Sequence, residues 1–279
     1  MRDIQVSAVS DAVRELCINA NHRLSPDMEG RLRRAAEEET SPLGADILSK
    51  LVTNLEIAGS EMIPICQDTG MAVVFLEIGQ EVHFTGGSLE DAVNDGVRRG
   101  YLDGFLRKSV ADPLNRVNTG DNTPAIIHYS IVPGDSLLIT VAPKGFGSEN
   151  MSRVFMLKPA DGEEGIKDAV VRAVGDAGPN ACPPMVIGVG IGGTFEKCAI
   201  LAKKALLKPV DEFSQDPHIR EMEKELLERI NNTDIGPAGL GGRTTALALH
   251  ILTYPTHIAG LPVAVNICCH VNRHASVML

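Results

Sequence analysis

The sequence predicts an α/β protein of the mixed α+β kind. A helical N-terminal part, residues 1–58, is expected to pack on a mixed-sheet body with flanking helices, residues 59–279. Two observations carry this. Apolar residues recur at helical spacing through the first 58 positions. Past position 60, apolar runs of strand length alternate with amphipathic segments. No internal repeat, low-complexity tract or long linker interrupts the chain, so its 279 residues are read as a single domain.

Val9, Val13, Leu16 and Cys17 share one face of a first helix. Ser25-Pro26 supplies an N-cap and a first-turn proline for a charged helix through Glu39. Ser41-Pro42 opens a third, with Ile47, Leu48, Leu51, Val52 and Leu55 as its buried stripe, stopping near Gly59. Residues 71–78 are apolar throughout and read as a buried strand. Ser88 with Asp91 caps a helix to about Arg99. Residues 125–132 and 136–142 read as strands, and Pro133-Gly134-Asp135 between them predicts a hairpin. Helix 163–177, strand 185–190 and helix 194–207 follow. Asp216-Pro217 then caps a helix whose Ile219, Met222, Leu226 and Ile230 form one stripe. Residues 246–252 and 262–267 are the last expected strands.

Lys plus Arg is 26 and Asp plus Glu is 36, a net charge of −10. Nucleic-acid binding, which needs a basic face, is not expected. Tryptophan is absent and aromatics are 4 %, which removes base-stacking platforms. The start, Met1-Arg2-Asp3-Ile4-Gln5-Val6, carries an early acid and no apolar core, so it does not read as a signal peptide. No run approaches the roughly 18 apolar residues of a membrane span. A cytoplasmic protein is expected, and six cysteines in a reducing compartment point to packing, metal or catalysis.

Three cysteines sit at breaks in regular structure. Cys66 lies in Pro64-Ile65-Cys66-Gln67-Asp68-Thr69-Gly70, Cys182 in Gly178-Pro179-Asn180-Ala181-Cys182-Pro183-Pro184, and Cys269 in Asn266-Ile267-Cys268-Cys269-His270. Cys17 and Cys198 fall on apolar helix faces and read as core. Three loop thiolates could hold an iron–sulfur cubane with one iron open as a Lewis acid. They could equally be buried thiols. A zinc reading uses Cys268, Cys269, His270 and His274, but the separated ligand pairs of a closed zinc site are missing.

Gly188-Val189-Gly190-Ile191-Gly192-Gly193 matches the dinucleotide fingerprint in form. The fingerprint also wants an acid at the end of a following strand, about 20 positions on. Helix 194–207 runs to Lys208-Pro209 and leaves no room for that strand before Asp211. A nucleotide-binding module on the 188–193 turn therefore stands as an alternative of another class. Two further glycine loops, Lys144-Gly145-Phe146-Gly147-Ser148-Glu149-Asn150 and Gly239-Leu240-Gly241-Gly242-Arg243-Thr244-Thr245, lack Walker A spacing. With Arg107 they could surround a small dianion with cations and backbone N–H groups.

The Cys66 segment, the Lys144–Asn150 loop and Cys182-Pro183-Pro184 resemble the iron–sulfur hydro-lyases that include class I fumarases and L(+)-tartrate dehydratases. So does Pro255-Thr256-His257-Ile258-Ala259-Gly260-Leu261-Pro262-Val263-Ala264-Val265-Asn266. The resemblance runs from about residue 10 to the C-terminus, at the length of a separate α subunit.

That resemblance implies a [4Fe–4S] cluster on Cys66, Cys182 and Cys269, the last chosen over Cys268 because it directly precedes the His-containing tail. It implies that Gln67 and Asp68 reach substrate, with Asp68 near the catalytic base. Arg107 would bind a carboxylate, Gly147 (or Gly145) would offer a backbone N–H, and His257 would hydrogen-bond substrate. It also implies a β subunit carrying the rest of the site, and hence a hetero-oligomer. The expected function is the α subunit of a fumarate hydratase, acting on small dicarboxylates, with L(+)-tartrate dehydratase as the alternative.

Overall fold

The computed structural model describes all residues, 1–279, and forms a mixed α/β fold. In chain order the elements are β1 (Arg2–Gln5), α1 (Val6–His22), α2 (Pro26–Glu38), α3 (Pro42–Glu61), β2 (Met71–Gly79), β3 (Val82–Thr85), α4 (Leu89–Asp103), β4 (Ile126–Val132) and β5 (Leu137–Lys144). Then come a single helical turn α5 (Phe146–Glu149), β6 (Arg153–Leu157), α6 (Gly162–Ala177), β7 (Met185–Gly192), α7 (Phe195–Ala205), α8 (Pro217–Asn231), β8 (Ala246–Tyr254), β9 (Leu261–Cys268) and β10 (Ala275–Met278). No helix is long and apolar enough to cross a membrane.

The chain forms two compact units. The first comprises residues 1–25, 55–146 and 273–279, the second residues 26–54 and 147–272. The helical segment 1–58 is thus shared between them.

In the first unit a four-stranded sheet runs β10-β5-β2-β4. β2 is buried almost throughout, as its unbroken apolar run requires. Val9, Val13, Leu16 and Cys17 of α1 and Val93, Val97 and Tyr101 of α4 join Val74, Leu76, Ile139 and Val141 in one core. Ser88 caps α4 by accepting the Asp91 N–H at 3.3 Å. The expected hairpin between the fourth and fifth strands does not form. β2 inserts between them, parallel to β4 and antiparallel to β5. The Pro133–Asp135 turn instead wraps the end of β2, where the Gln80 and Glu81 N–H groups donate to Val132 and Gly134 carbonyls at 2.9 and 3.0 Å. The turn chemistry was legible, but the strand buried almost throughout takes a central place in the sheet.

In the second unit the sheet runs β6-β9-β7-β8. β7 is parallel to β8 and antiparallel to β9. α6 and α8 cover one face, where Val170, Val174, Met222, Leu226 and Ile230 meet Ile187, Val189, Leu249, Val265 and Ile267. α7 covers the other. Gly188 and Gly190 of the glycine run are explained here. A Cβ at Gly188 would stand 2.1 Å from the Ala202 carbonyl oxygen, and one at Gly190 would stand 2.0 Å from that of Cys198. Both glycines lie inside β7 and let α7 approach the sheet, so they form no phosphate turn. The nucleotide-binding alternative loses its motif.

Candidate active site

In the first unit the Cys66 loop links α3 to β2. Its entry is fixed by the Ile65 N–H donating to the Asn21 carbonyl at 2.9 Å. The half-buried Cys66 Sγ accepts the Asp68 N–H at 3.4 Å. Gln67 projects to solvent beside it. Both Asp68 carboxylate oxygens accept backbone amides: Oδ1 from Gly70 at 3.0 Å, Oδ2 from Phe146 at 2.9 Å. The loop after β5 is thereby clamped to the cysteine loop. Glycine at 145 leaves room for this, since a Cβ there would come 3.0 Å from Asp68 Oδ2.

Arg107 is brought to the same loop through its backbone. Its carbonyl accepts the Thr69 hydroxyl at 3.0 Å, and its side chain is exposed. Buried Asn122 completes the junction. Its Oδ1 accepts the Ser109 and Val110 N–H groups at 2.7 and 3.2 Å, and its Nδ2 donates to the Gly70 carbonyl at 3.2 Å. Tyr101, fully buried, donates its hydroxyl to the Thr69 and Gly70 carbonyls at 2.9 and 3.0 Å. Arg273, 4 % exposed, donates Nε to the Pro143 carbonyl at 3.3 Å and Nη2 to the Asp68 carbonyl.

Sequence reasoning missed Asn122, Tyr101 and Arg273. Only Arg273 left a trace, as the one Arg in the tail after the paired cysteines.

In the second unit Cys182 precedes β7 and Cys269 follows β9. These strands are antiparallel, and Val186 pairs with Cys268, so both cysteines fall at one end of the sheet. The Cys182 carbonyl accepts from His270, whose Nδ1 lies 3.1 Å away and whose N–H lies at 3.5 Å. Cys182 is exposed at φ 53°, ψ 62°, a left-handed conformation costing a non-glycine residue about 1–2 kcal/mol. Strain of this kind gathers at functional sites. Cys268 is buried within the ladder, whereas Cys269 is half-buried just past its end. Gly147, in the first turn of α5, where helix amides lack intrahelical partners, comes near Asn180 of the Cys182 turn.

His257 is not brought to this end. It lies in the connection between β8 and β9, beside Ile191 and Leu261, in a largely apolar groove of about 430 Å³. Its Nδ1 accepts the Ala259 N–H at 3.2 Å. Six strand residues separate the level of Ile191 from that of Met185, roughly 20 Å at 3.3 Å per residue. His257 thus lies at the opposite end of this sheet from Cys182 and Cys269.

The cysteines offer soft thiol donors, the chemistry that both zinc and iron–sulfur groups accept, and no group of three His, Cys, Asp or Glu side chains is placed as on one metal ion.

The family model described as "Fumarate hydratase (Fumerase)" matches residues 10–278. A putative L(+)-tartrate dehydratase subunit alpha of Methanocaldococcus jannaschii is 41 % identical over 273 residues, covering 96 % of each chain. The L(+)-tartrate dehydratase subunit alpha of Escherichia coli O157:H7 is 30 % identical over 278 residues, covering 98 % of this chain and 91 % of the relative. That of Escherichia coli K12 is 29 % identical with the same coverage. Likeness that runs end to end makes this chain a hydro-lyase of the class I fumarase and tartrate dehydratase family.

Proposed function

We propose that this chain is the α subunit of an L(+)-tartrate dehydratase, working with a β subunit and a [4Fe–4S] cluster. The observation that carries the substrate is the full-length likeness to proteins named as L(+)-tartrate dehydratase α subunits. This reverses the order expected from the sequence. Fumarate hydration is the second reading, favoured by the description of the family model. The subunit assignment rests on the relatives' names, and the net charge of −10 argues against a nucleic-acid partner.

Loss of water from a 2-hydroxy dicarboxylate needs a carboxylate clamp, a base for the carbon-bound proton and help for the leaving hydroxyl. Cys66, Cys182 and Cys269 are the proposed cluster ligands, supported by their loop positions and by the amide hydrogen bond to Cys66 Sγ. When bound, the cluster supplies an open iron as a Lewis acid for substrate oxygen. The exposed Arg107 guanidinium offers a planar fork for one carboxylate, and its backbone anchor to Thr69 fixes where the fork starts. Gln67 adds an amide donor. The Gly147 N–H would stabilise charge building on a carboxylate oxygen.

Asp68 is proposed to act at the site chiefly by holding the Phe146 amide, since both its oxygens are already occupied by backbone donors. The base is assigned to the β subunit. His257 is proposed to touch substrate across a chain boundary, at the site of another copy, because roughly 20 Å of strand lies between it and this chain's Cys182 and Cys269.

Anaerobic co-expression with a candidate β chain, followed by assay with L(+)-tartrate, fumarate and malate, tests the reading. Preferred turnover of tartrate is expected. Preferred turnover of fumarate and malate would move the assignment to the second reading, and turnover of neither would remove both.

A further inference from the structure

The glycine loop 236–245 is organised around a buried carboxylate that nothing above uses. Glu39 follows α2 and is 9 % exposed. Its Oε1 accepts the N–H groups of Thr40 at 2.9 Å, Ser41 at 3.0 Å and Arg243 at 3.0 Å. Its Oε2 accepts the Thr244 N–H at 2.8 Å. Four amides thus ligate one anion, the arrangement in which a buried charge is stable without a counter-ion. The fit is close: a Cβ at Gly242, where φ is +117°, would stand 3.0 Å from Oε1.

The other side of the same loop bears on the Cys182 turn. The Ala238 N–H donates to the Pro183 carbonyl at 2.9 Å. A Cβ at Gly239, where φ is +75°, would stand 2.5 Å from the Pro179 ring. The loop is stiff between these two ends. Gly236 N–H meets Thr245 Oγ1 at 3.1 Å, Gly242 N–H meets Asp234 Oδ1 at 3.0 Å, and Gly241 N–H meets the Ile235 carbonyl at 2.9 Å. A path of hydrogen bonds and short chain steps therefore runs from the Glu39 carboxylate to Thr244, through Thr245 to Gly236, and from Ala238 to Pro183, the neighbour of Cys182. Cys182 itself holds a left-handed conformation, which persists only where its surroundings impose it.

We propose that Glu39 is a positioning residue for Cys182: its carboxylate holds the 236–245 loop, and the loop holds the cysteine turn in the conformation that presents the thiol. The inference rests on the reading of Cys182 as a cluster ligand, but its first test does not.

In the metal-free, fully reduced chain, the rate of iodoacetamide alkylation is followed at each cysteine by peptide mapping. Cys66, which belongs to the first unit, is the internal reference. Glu39→Gln keeps the shape and removes the charge. It should change the Cys182 rate severalfold and leave the Cys66 rate unaltered, with Glu39→Asp recovering part of the difference. Gly239→Ala, which disturbs the same path without touching Glu39, should give the same signature. After reconstitution with iron and sulfide, Glu39→Gln should retain the cluster about ten- to a hundredfold less tightly, the usual cost of losing a ligand's support.

A Cys182 rate unchanged in both folded variants would overturn the proposal. So would equal changes at Cys182 and Cys66, which mark general loosening. Failure of the wild-type chain to bind iron would refute the cluster reading and leave the alkylation result standing.

Discussion

Among single residues, buried groups give this chain a defined acid sensitivity. Burial opposes the charge on Glu39, yet the amides of Ser41, Arg243 and Thr244 and the Thr244 hydroxyl outweigh it and hold the carboxyl down at about 2. An unfolded Glu titrates near 4.5. The folded form therefore gains stability that is complete above that value and lost as pH falls toward 2. At 1.36 kcal/mol per unit this is about 3 kcal/mol.

His250, 1 % exposed with neither ring nitrogen hydrogen-bonded, is pushed down to about 4 by burial and by Lys208, against Asp27. Between 6.5 and 4 the unfolded chain binds a proton there and the folded chain does not, so stability also falls with pH in that window. Urea unfolding at a series of pH values should show both losses. His250→Phe should flatten the upper one and Glu39→Gln the lower. At the site, Arg107→Lys removes a two-pronged donor. It should lower kcat/KM about ten- to a hundredfold, for a lost charged hydrogen bond of roughly 1.5–3 kcal/mol, with the cluster absorbance unchanged. Wild-type kinetics in the assembled enzyme would remove Arg107 from the site.

Strand β7 shows how an element can carry a motif for structural reasons. Gly188 and Gly190 are spaced by two, on one face of the strand, and that is where α7 lies closest. Gly190→Ala would drive a methyl group into the Cys198 carbonyl. Overpacking of this kind costs about 1–3 kcal/mol, and thermal unfolding should show a clear drop in Tm. If Gly190→Ala melted like wild type, the packing explanation would fail and a ligand role for the run would reopen. The hairpin expected at 125–142 teaches the same lesson. Local turn residues specify a reversal, whereas pairing partners are set by which strand has two apolar faces to bury.

For the whole molecule, the proposed function makes the chain incomplete by itself. The purified α chain with its cluster should have no hydro-lyase activity, and adding the β chain should restore turnover. Anaerobic preparations should contain about four iron and four sulfide per chain. Cys66→Ser, Cys182→Ser and Cys269→Ser should each abolish the visible absorbance. Cys17→Ser and Cys198→Ser should keep it, since both side chains are fully buried in cores and burial pushes the Cys17 thiol up to about 12. Stoichiometric zinc without sulfide would sink the cluster reading. The separation of His257 from Cys182 and Cys269 adds a sharper test. Chains carrying His257→Asn and chains carrying Cys182→Ser, each inactive alone with the β subunit, should regain activity when co-assembled. Absence of complementation would refute action across copies.

The sequence by itself determined what is local. Capping residues and periodicity located the helices, as the Ser88 and Asp216 caps show with their bonds to Asp91, His218 and Ile219. The long loop motifs carried the family. Tertiary structure decided whatever depends on partners distant in the chain. It put β2 between β4 and β5, and turned a nucleotide-like glycine run into a packing surface. It also set His257 at the far end of the sheet from two of the cysteines. The roles of Glu39, Asn122 and Arg273 were not legible beforehand for one reason. Each acts through main-chain groups far away in sequence, and a backbone amide or carbonyl leaves no mark on the residue type that carries it.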